Sequence, residues 1–305
     1  MDASTFRDQI AKFWTINPED LPEELVRHAE NVVVNRLPLS VAQEIGETPL
    51  AEASSKGIPL VPKVRQKSYF EDDYRPADKP WPVVLIHGTA SSRDYWHALA
   101  SNLREDGWGV YALNFGNHGT GLMEDSATQV DAFISGVLAH TGADKAILIG
   151  HSQGGLLARY WMRKLGGATK TKHLVCLSSP NHGTTLGGIA SPLVTTKVAE
   201  KAMTALVSAF LGPAAFQQIA GSDLLRMTNE EGDVDENVTY TCIATHSDSI
   251  VQPPETCFLN SNVEGQVNNM WVQDLDPGTT VLHEEMPRDK RVIRLVRAAL
   301  RGVCD

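Results

Sequence analysis

Long apolar runs, surplus positive charge and cysteine are what this 305-residue chain has little of. No uninterrupted apolar stretch approaches the roughly 20 residues that a membrane-crossing helix needs. The opening MDASTFRDQIAKFW has no basic segment followed by an apolar one, so no leader peptide is expected there. Lysine and arginine number 27 against 37 aspartates and glutamates, a net charge of −10. Nucleic acids and anionic membranes are gripped by basic patches, so neither is an expected partner. Charge leaves a neutral or oily molecule open as a ligand.

Only four cysteines occur: Cys176, Cys242, Cys257 and Cys304. The first two lie inside apolar strand-like runs and read as free buried thiols. Cys257 and Cys304 lie outside such runs and are available for a disulfide, but four cysteines allow three full pairings. None has metal-ligand spacing. The acidic stretch EGDVDEN (231–237) reads as a solvated turn rather than a calcium loop. No metal and no cofactor is expected.

What the chain does have is an ordinary globular composition, 42% apolar and 21% charged, enough for one large domain or two small ones. Residues 1–80 stand apart. DLPEELVRHAENVV predicts a helix, with Asp20 as N-cap and Glu23 completing a capping box. The proline-rich stretch after it, with clustered charge and no period, predicts an irregular arm, packed on a domain or partly disordered.

From residue 81 to 305 the pattern changes. PVVLIHG, WGVYALNFG, DKAILIG, KHLVCLSS and VTYTCIAT are short apolar runs that do not alternate. Strands of a parallel sheet covered on both faces read this way. Between them lie helical patterns at 94–106, 126–142 and 155–165, and RDKRVIRLVRAALRG closes the chain. Strand–helix alternation predicts a mostly parallel central sheet with helices on both faces. Residues 181–236 break the rhythm. Val194, Val198, Ala202, Leu206 and Phe210 recur every fourth position there, which predicts an amphipathic helix in a cap- or lid-like insertion, either packed on the core as a surface helix or covering a site with its apolar face.

LIGHSQGG (148–155) carries the chemistry. Gly150-His151-Ser152-Gln153-Gly154 is G-x-S-x-G, with a strand before it and a helix after it. The glycines permit a tight turn and the serine projects above the sheet edge. A serine hydroxyl needs a base, and the base needs an orienting carboxylate. In this architecture they follow in the order Ser, Asp/Glu, His. Asp248 comes just after the late strand VTYTCIAT; Asp233, Asp235, Asp274 and Asp276 are worse placed. His283 is the only histidine after residue 246, and His246 lies too close to Asp248 in sequence to act as its base. Acyl transfer also needs an oxyanion hole. Its expected donors are the backbone N–H groups of Gln153 and Thr89, the latter in the loop after LIHG. His87, His151 and His182 read as structural.

The blocks PVVLIHGT, YALNFG, LIGHSQGG, SSPNHGTT, YTCIATHSDSIVQP and the H–EMPRD–V–LV–AL ending run in one order at compatible spacing. From Trp81 onward the chain resembles the bacterial class 2 lipases of the α/β-hydrolase superfamily. The resemblance implies an α/β-hydrolase fold and a secreted enzyme that cleaves fatty-acid esters without a cofactor. It implies a triad of Ser152, Asp248 and His283, with oxyanion donors Thr89 and Gln153. It also implies contact with acyl ester or lipid substrates. The chain departs from the family in Glu284 and Glu285, which follow the histidine and are expected to raise its pKa or alter substrate preference. An acyltransferase or a polyester hydrolase would use the same triad. A binding protein on a decayed hydrolase fold would lack a triad member, and an epoxide hydrolase would carry Asp where Ser152 stands.

Overall fold

The computed structural model describes residues 78–185 and 211–304. The arm expected over 1–80, save its last three residues, and the amphipathic stretch 194–210 lie outside the described residues.

Among the described residues six strands form one sheet in the order β2-β1-β3-β4-β5-β6, and every neighbouring pair is parallel. They are β1 (Val83–Ile86), β2 (Val110–Leu113), β3 (Ala146–His151), β4 (Thr171–Leu177), β5 (Thr239–Ala244) and β6 (Val267–Trp271). The central strands are apolar throughout because both faces are covered. Val84, Ile86, Leu148 and Leu174 pack on one side. Val83, Leu85, Ile147 and Val175 pack on the other.

Among the described residues, six α-helices of five residues or more accompany the sheet: α1 (His97–Glu105), α2 (Met123–Thr141), α3 (Gln153–Lys164), α4 (Pro213–Gln217), α5 (Asp223–Asn229) and α6 (Lys290–Cys304). α2 and α3 cover the first face, α1 and α6 the second. In α2 the buried residues Met123, Ala127, Val130, Ile134 and Val137 keep helical spacing, Glu124 and Asp125 suit its N-terminus, and Gly142 (φ +71°) stops it. In α6 Val292, Ile293, Val296 and Leu300 face inward. Arg297 grips Asp106 just beyond α1 with two hydrogen bonds, tying the two helices together.

The expected helix over 94–106 starts as a 3-10 turn, Arg93–Trp96, before α1. The expected strand over 108–116 is ordered as a strand only at Val110–Leu113. β6 was not expected. Its polar Asn268 and Asn269 are exposed on an edge strand, so the continuous apolar signature is missing. Cys257 is a free, buried thiol, which removes the Cys257–Cys304 disulfide; Cys176 and Cys242 are free and buried as expected.

Candidate active site

β3 runs straight into α3 through a single residue, Ser152. Its backbone lies at φ 53°, ψ −126°, a region that a residue with a Cβ avoids at a cost of roughly 1–3 kcal/mol. Close packing enforces the turn. A Cβ on Gly150 would stand 2.3 Å from Gly155 N, and one on Gly154 would stand 2.0 Å from Ile86 O. The chain can bend this sharply against β1 only with glycine at both places. The Ser152 N–H still donates to Leu177 O at 2.9 Å, extending the pairing of β3 with β4. As the first residue of α3, Gln153 has no acceptor for its N–H within the helix.

Asp248 follows β5 in a turn closed by its own N–H on Thr245 O. Its two carboxylate oxygens have separate tasks. Oδ1 accepts from Ile250 N–H and Val251 N–H, both at 2.9 Å. Oδ2 lies 2.8 Å from His283 Nδ1. A carboxylate only accepts, so Nδ1 carries the proton and Nε2 is left with its lone pair. Burial alone would raise the Asp248 pKa; the neighbouring imidazole and the two backbone donors overcome it and hold the carboxyl below its ordinary range.

His283 opens a short 3-10 turn, His283–Glu285. His151, the residue before Ser152, reaches across so that its Nε2 lies 2.9 Å from the His283 backbone oxygen, and the two rings stand 4.8 Å apart. Burial, aided by the proximity of His283, pushes the His151 pKa down to about 3, so its ring is neutral and Nε2–H is the donor. The strand end that presents Ser152 therefore also holds the His283 loop. The Tyr95 hydroxyl, whose ring stands 6.0 Å from that of His151, donates to Glu284 O, and the Arg288 guanidinium lies over the Tyr95 ring, 4.6 Å from its centre. Glu285 turns back, its Oε2 accepting the Leu282 N–H at 2.8 Å. It therefore serves as a cap for the loop.

The loop after β1 carries Thr89 and is pinned on two sides. Ser91 N–H donates to His118 O at 3.3 Å, and His118 Nδ1 returns the contact to Ser91 O at 3.0 Å. Thr89 Oγ1 accepts from Gln218 Nε2 at 3.0 Å. Ala90, between these anchors, is held at φ 53°. His87 is buried, stacks on Phe115 at 4.2 Å, and burial lowers its pKa to about 4. It is a neutral structural residue, as expected.

Ser152, Asp248, His283, Thr89 and Gln153 thus all stand at the carboxyl ends of β1, β3 and β5 or in the loop beyond β6. The competing acids stand elsewhere. Asp233 and Asp235 do not form the solvated turn that their sequence predicts. Asp235 pairs with Arg163 of α3 at 2.7 Å, and Asp233 Oδ2 accepts the Asn260 N–H at 2.8 Å with His182 Nε2 at 3.3 Å. His246 is exposed and stacks on Trp271. Sequence reasoning missed Tyr95, Gln218 and the second role of His151, because each acts through a contact distant in sequence. Among the described residues no group of three or more His, Cys, Asp or Glu could hold a metal ion. None of their helices is long and apolar enough to cross a membrane.

A family model described as "alpha/beta hydrolase fold" matches residues 82–216. A triacylglycerol lipase of Burkholderia plantarii is 36% identical over 132 residues, which is 40% of this chain and 34% of that protein. A triacylglycerol lipase of Pseudarthrobacter phenanthrenivorans is 41% identical over 91 residues, 26% of this chain and 27% of its own. These matches span about a third or less of each relative's length. Among solved structures, Aspergillus fumigatus lipase B superposes with a TM-score of 0.61 at 16% identity, covering 100% of this chain and 80% of that one. The mature Bacillus licheniformis lipase BlEst2 gives 0.53 at 14% identity, covering 76% and 96%.

Proposed function

We propose that this chain, whose fold is that of the α/β hydrolases, cleaves carboxylic esters by passing the acyl group through Ser152. The observation that carries the reading is the strained serine at the β3–α3 junction, with the buried Asp248–His283 pair on the same sheet edge. The triacylglycerol lipases it partly matches support the same reaction class.

In this mechanism Ser152 Oγ attacks the ester carbonyl and His283 Nε2 takes its proton. Asp248 keeps the imidazole in the required tautomer and stabilises its charged form. The oxygen that becomes negative is held by the Thr89 and Gln153 N–H groups, each contributing about 3–4 kcal/mol to the transition state. The N-terminus of α3, a 12-residue helix, adds its dipole there. His283 returns the proton to the leaving alcohol, then activates water to release the acid. Leu282, beside His283, is 40% exposed, and this suits an acyl chain or lipid surface. Membership of the class 2 lipases and export from the cell belong to the same proposal, carried by the motif resemblance.

The test is hydrolysis of p-nitrophenyl esters from acetate to palmitate. Ser152→Ala is expected to abolish turnover with the fold intact. Asp248→Asn is expected to lower kcat by about 10⁴-fold. Full activity in Ser152→Ala would overturn the mechanism. The chain-length optimum separates esterase from lipase.

A further inference from the structure

Three of the four cysteines meet behind the elbow, and the mechanism uses none of them. Cys176 of β4 and Cys242 of β5 are direct partners across the parallel strands. Both are fully buried on the α3 side of the sheet, and the Cys242 thiol interacts with those of both Cys176 and Cys257. Asn181 bridges them: its Oδ1 lies 3.9 Å from Cys176 Sγ and its Nδ2 3.9 Å from Cys242 Sγ. The same Nδ2 donates to Cys257 O at 2.6 Å, which brings the third cysteine alongside. The cluster is close to the catalytic turn. Cys176 pairs with Gly150, and its sulfur lies 3.1 Å from where a Cβ on Gly155 would stand.

We propose that Cys176 and Cys242 are a modification site, closing into a cross-strand disulfide under hydrogen peroxide or an equivalent two-electron oxidant. Adjacent strands lie about 4.8 Å apart, within the roughly 4.4–6.8 Å range between Cα atoms that a disulfide spans. The thiolate of Cys176 attacks one peroxide oxygen and the O–O bond breaks, giving a sulfenic acid and hydroxide. Cys242 sulfur then attacks the sulfenic sulfur, the S–S bond forms and water leaves. The sum is two thiols and one peroxide to one disulfide and two waters.

Cys176 is the attacker. The Cys242 thiol, Asn181, Ser179 and the Arg159 guanidinium draw its pKa below the ordinary thiol value against the opposing effect of burial. Arg159 is fully buried and makes its hydrogen bonds to neutral oxygens, those of Asn181, Asn229 and Asp233; its charge acts on the Asp233 carboxylate as well as on Cys176. Cys242 is pushed the other way by burial and stays a thiol.

Closing the bond draws the Cβ atoms from strand spacing to about 3.8 Å, a pull of about 1 Å on the β4 residue paired with Gly150. Such a strained disulfide is readily reduced. A shift of that size under the elbow is expected to lower turnover by tenfold or more. Bond formation is independent of the hydrolase reading; only this last effect rests on it.

The experiment treats the full chain carrying Cys304→Ser with millimolar hydrogen peroxide. Free thiols are counted in denaturant, the intact mass is measured, and ester turnover is followed. The thiol count is expected to fall from three to one, with loss of two hydrogen atoms and a Cys176–Cys242 crosslink in the peptide map. Dithiothreitol is expected to restore all three thiols and the turnover. Adding Cys257→Ala should leave the crosslink in place, and adding Cys242→Ala should abolish it. An unchanged thiol count overturns the proposal, as does a Cys242–Cys257 crosslink. The closed disulfide with unchanged turnover overturns the coupling to the elbow. A chain without ester activity still decides the site through thiol count and mass.

Discussion

Replacing Gly154 with alanine adds one methyl group to the turn that presents Ser152. That carbon would stand 2.0 Å from Ile86 O and 2.7 Å from His87 O. Ordinary non-bonded contact lies near 3.5 Å. Both neighbours are backbone at the end of β1, so no side chain can swing aside. The first turn of α3 has to retreat by on the order of 1 Å, and a misplacement of that size costs about 10²-fold in rate. The overpacking itself costs about 1–3 kcal/mol of stability, several degrees of melting temperature for a domain of this size. The assay pairs kcat for p-nitrophenyl butyrate with scanning calorimetry. Gly136→Ala in α2 is the control: nothing lies within 4 Å of its added carbon, the site is exposed, and the helix should gain about 1 kcal/mol. A Gly154→Ala protein with turnover within threefold of the parent and an unchanged melt would refute the packing argument.

His151→Phe keeps a ring beside His283 but removes the donor to its backbone oxygen. Losing a bond worth about 1.5 kcal/mol should lower kcat roughly tenfold with KM unchanged, measured on the same ester. A parallel rise in KM would mean that His151 shapes the substrate site instead. Asp233 sets an acid limit to stability. Burial would raise its carboxyl, but His182 and the Asn260 N–H hold it down at about 2. The ordinary value is near 3.9, so the folded chain favours the ionised form. That stabilisation, on the order of 1–2 kcal/mol, is complete above about pH 5 and is lost as pH falls toward 2. Asp233→Asn lacks it at every pH. Urea melts should show a gap between parent and variant at pH 6 that closes near pH 2.

The readable parts of the chain were those whose physics is local. β1, β3 and β4 announce themselves because strands buried on both faces have little room for polar residues. The elbow is readable because its glycines are imposed by contacts within a few residues, and Asp248 and His283 because strand order restricts where acid and base can fall. What escaped is long-range. β6 has the polar residues of an edge. The acidic run 231–237 looks solvated until Arg163 of α3 arrives from some 70 residues earlier to pair with it. Arg159 sits in the helical stretch GLLARYWMRKL, and nothing beside it in the chain signals that its guanidinium will be buried. Cys257 shows no partner in sequence, and only the fold brings it beside Cys176 and Cys242.

The all-parallel order of the strands bears on how the chain acquires its site in time. Parallel neighbours cannot be joined by a hairpin, so each pairing waits for a crossover to close. His151 and His283 are 132 residues apart, and β6 lies between Asp248 and His283. Pairings of such separation form slowly. During refolding from denaturant, helix content should therefore recover before the Asp248–His283 pair meets Ser152. Ester turnover becomes a clock for the last contacts to form, and species trapped earlier would carry much of the secondary structure with none of the chemistry.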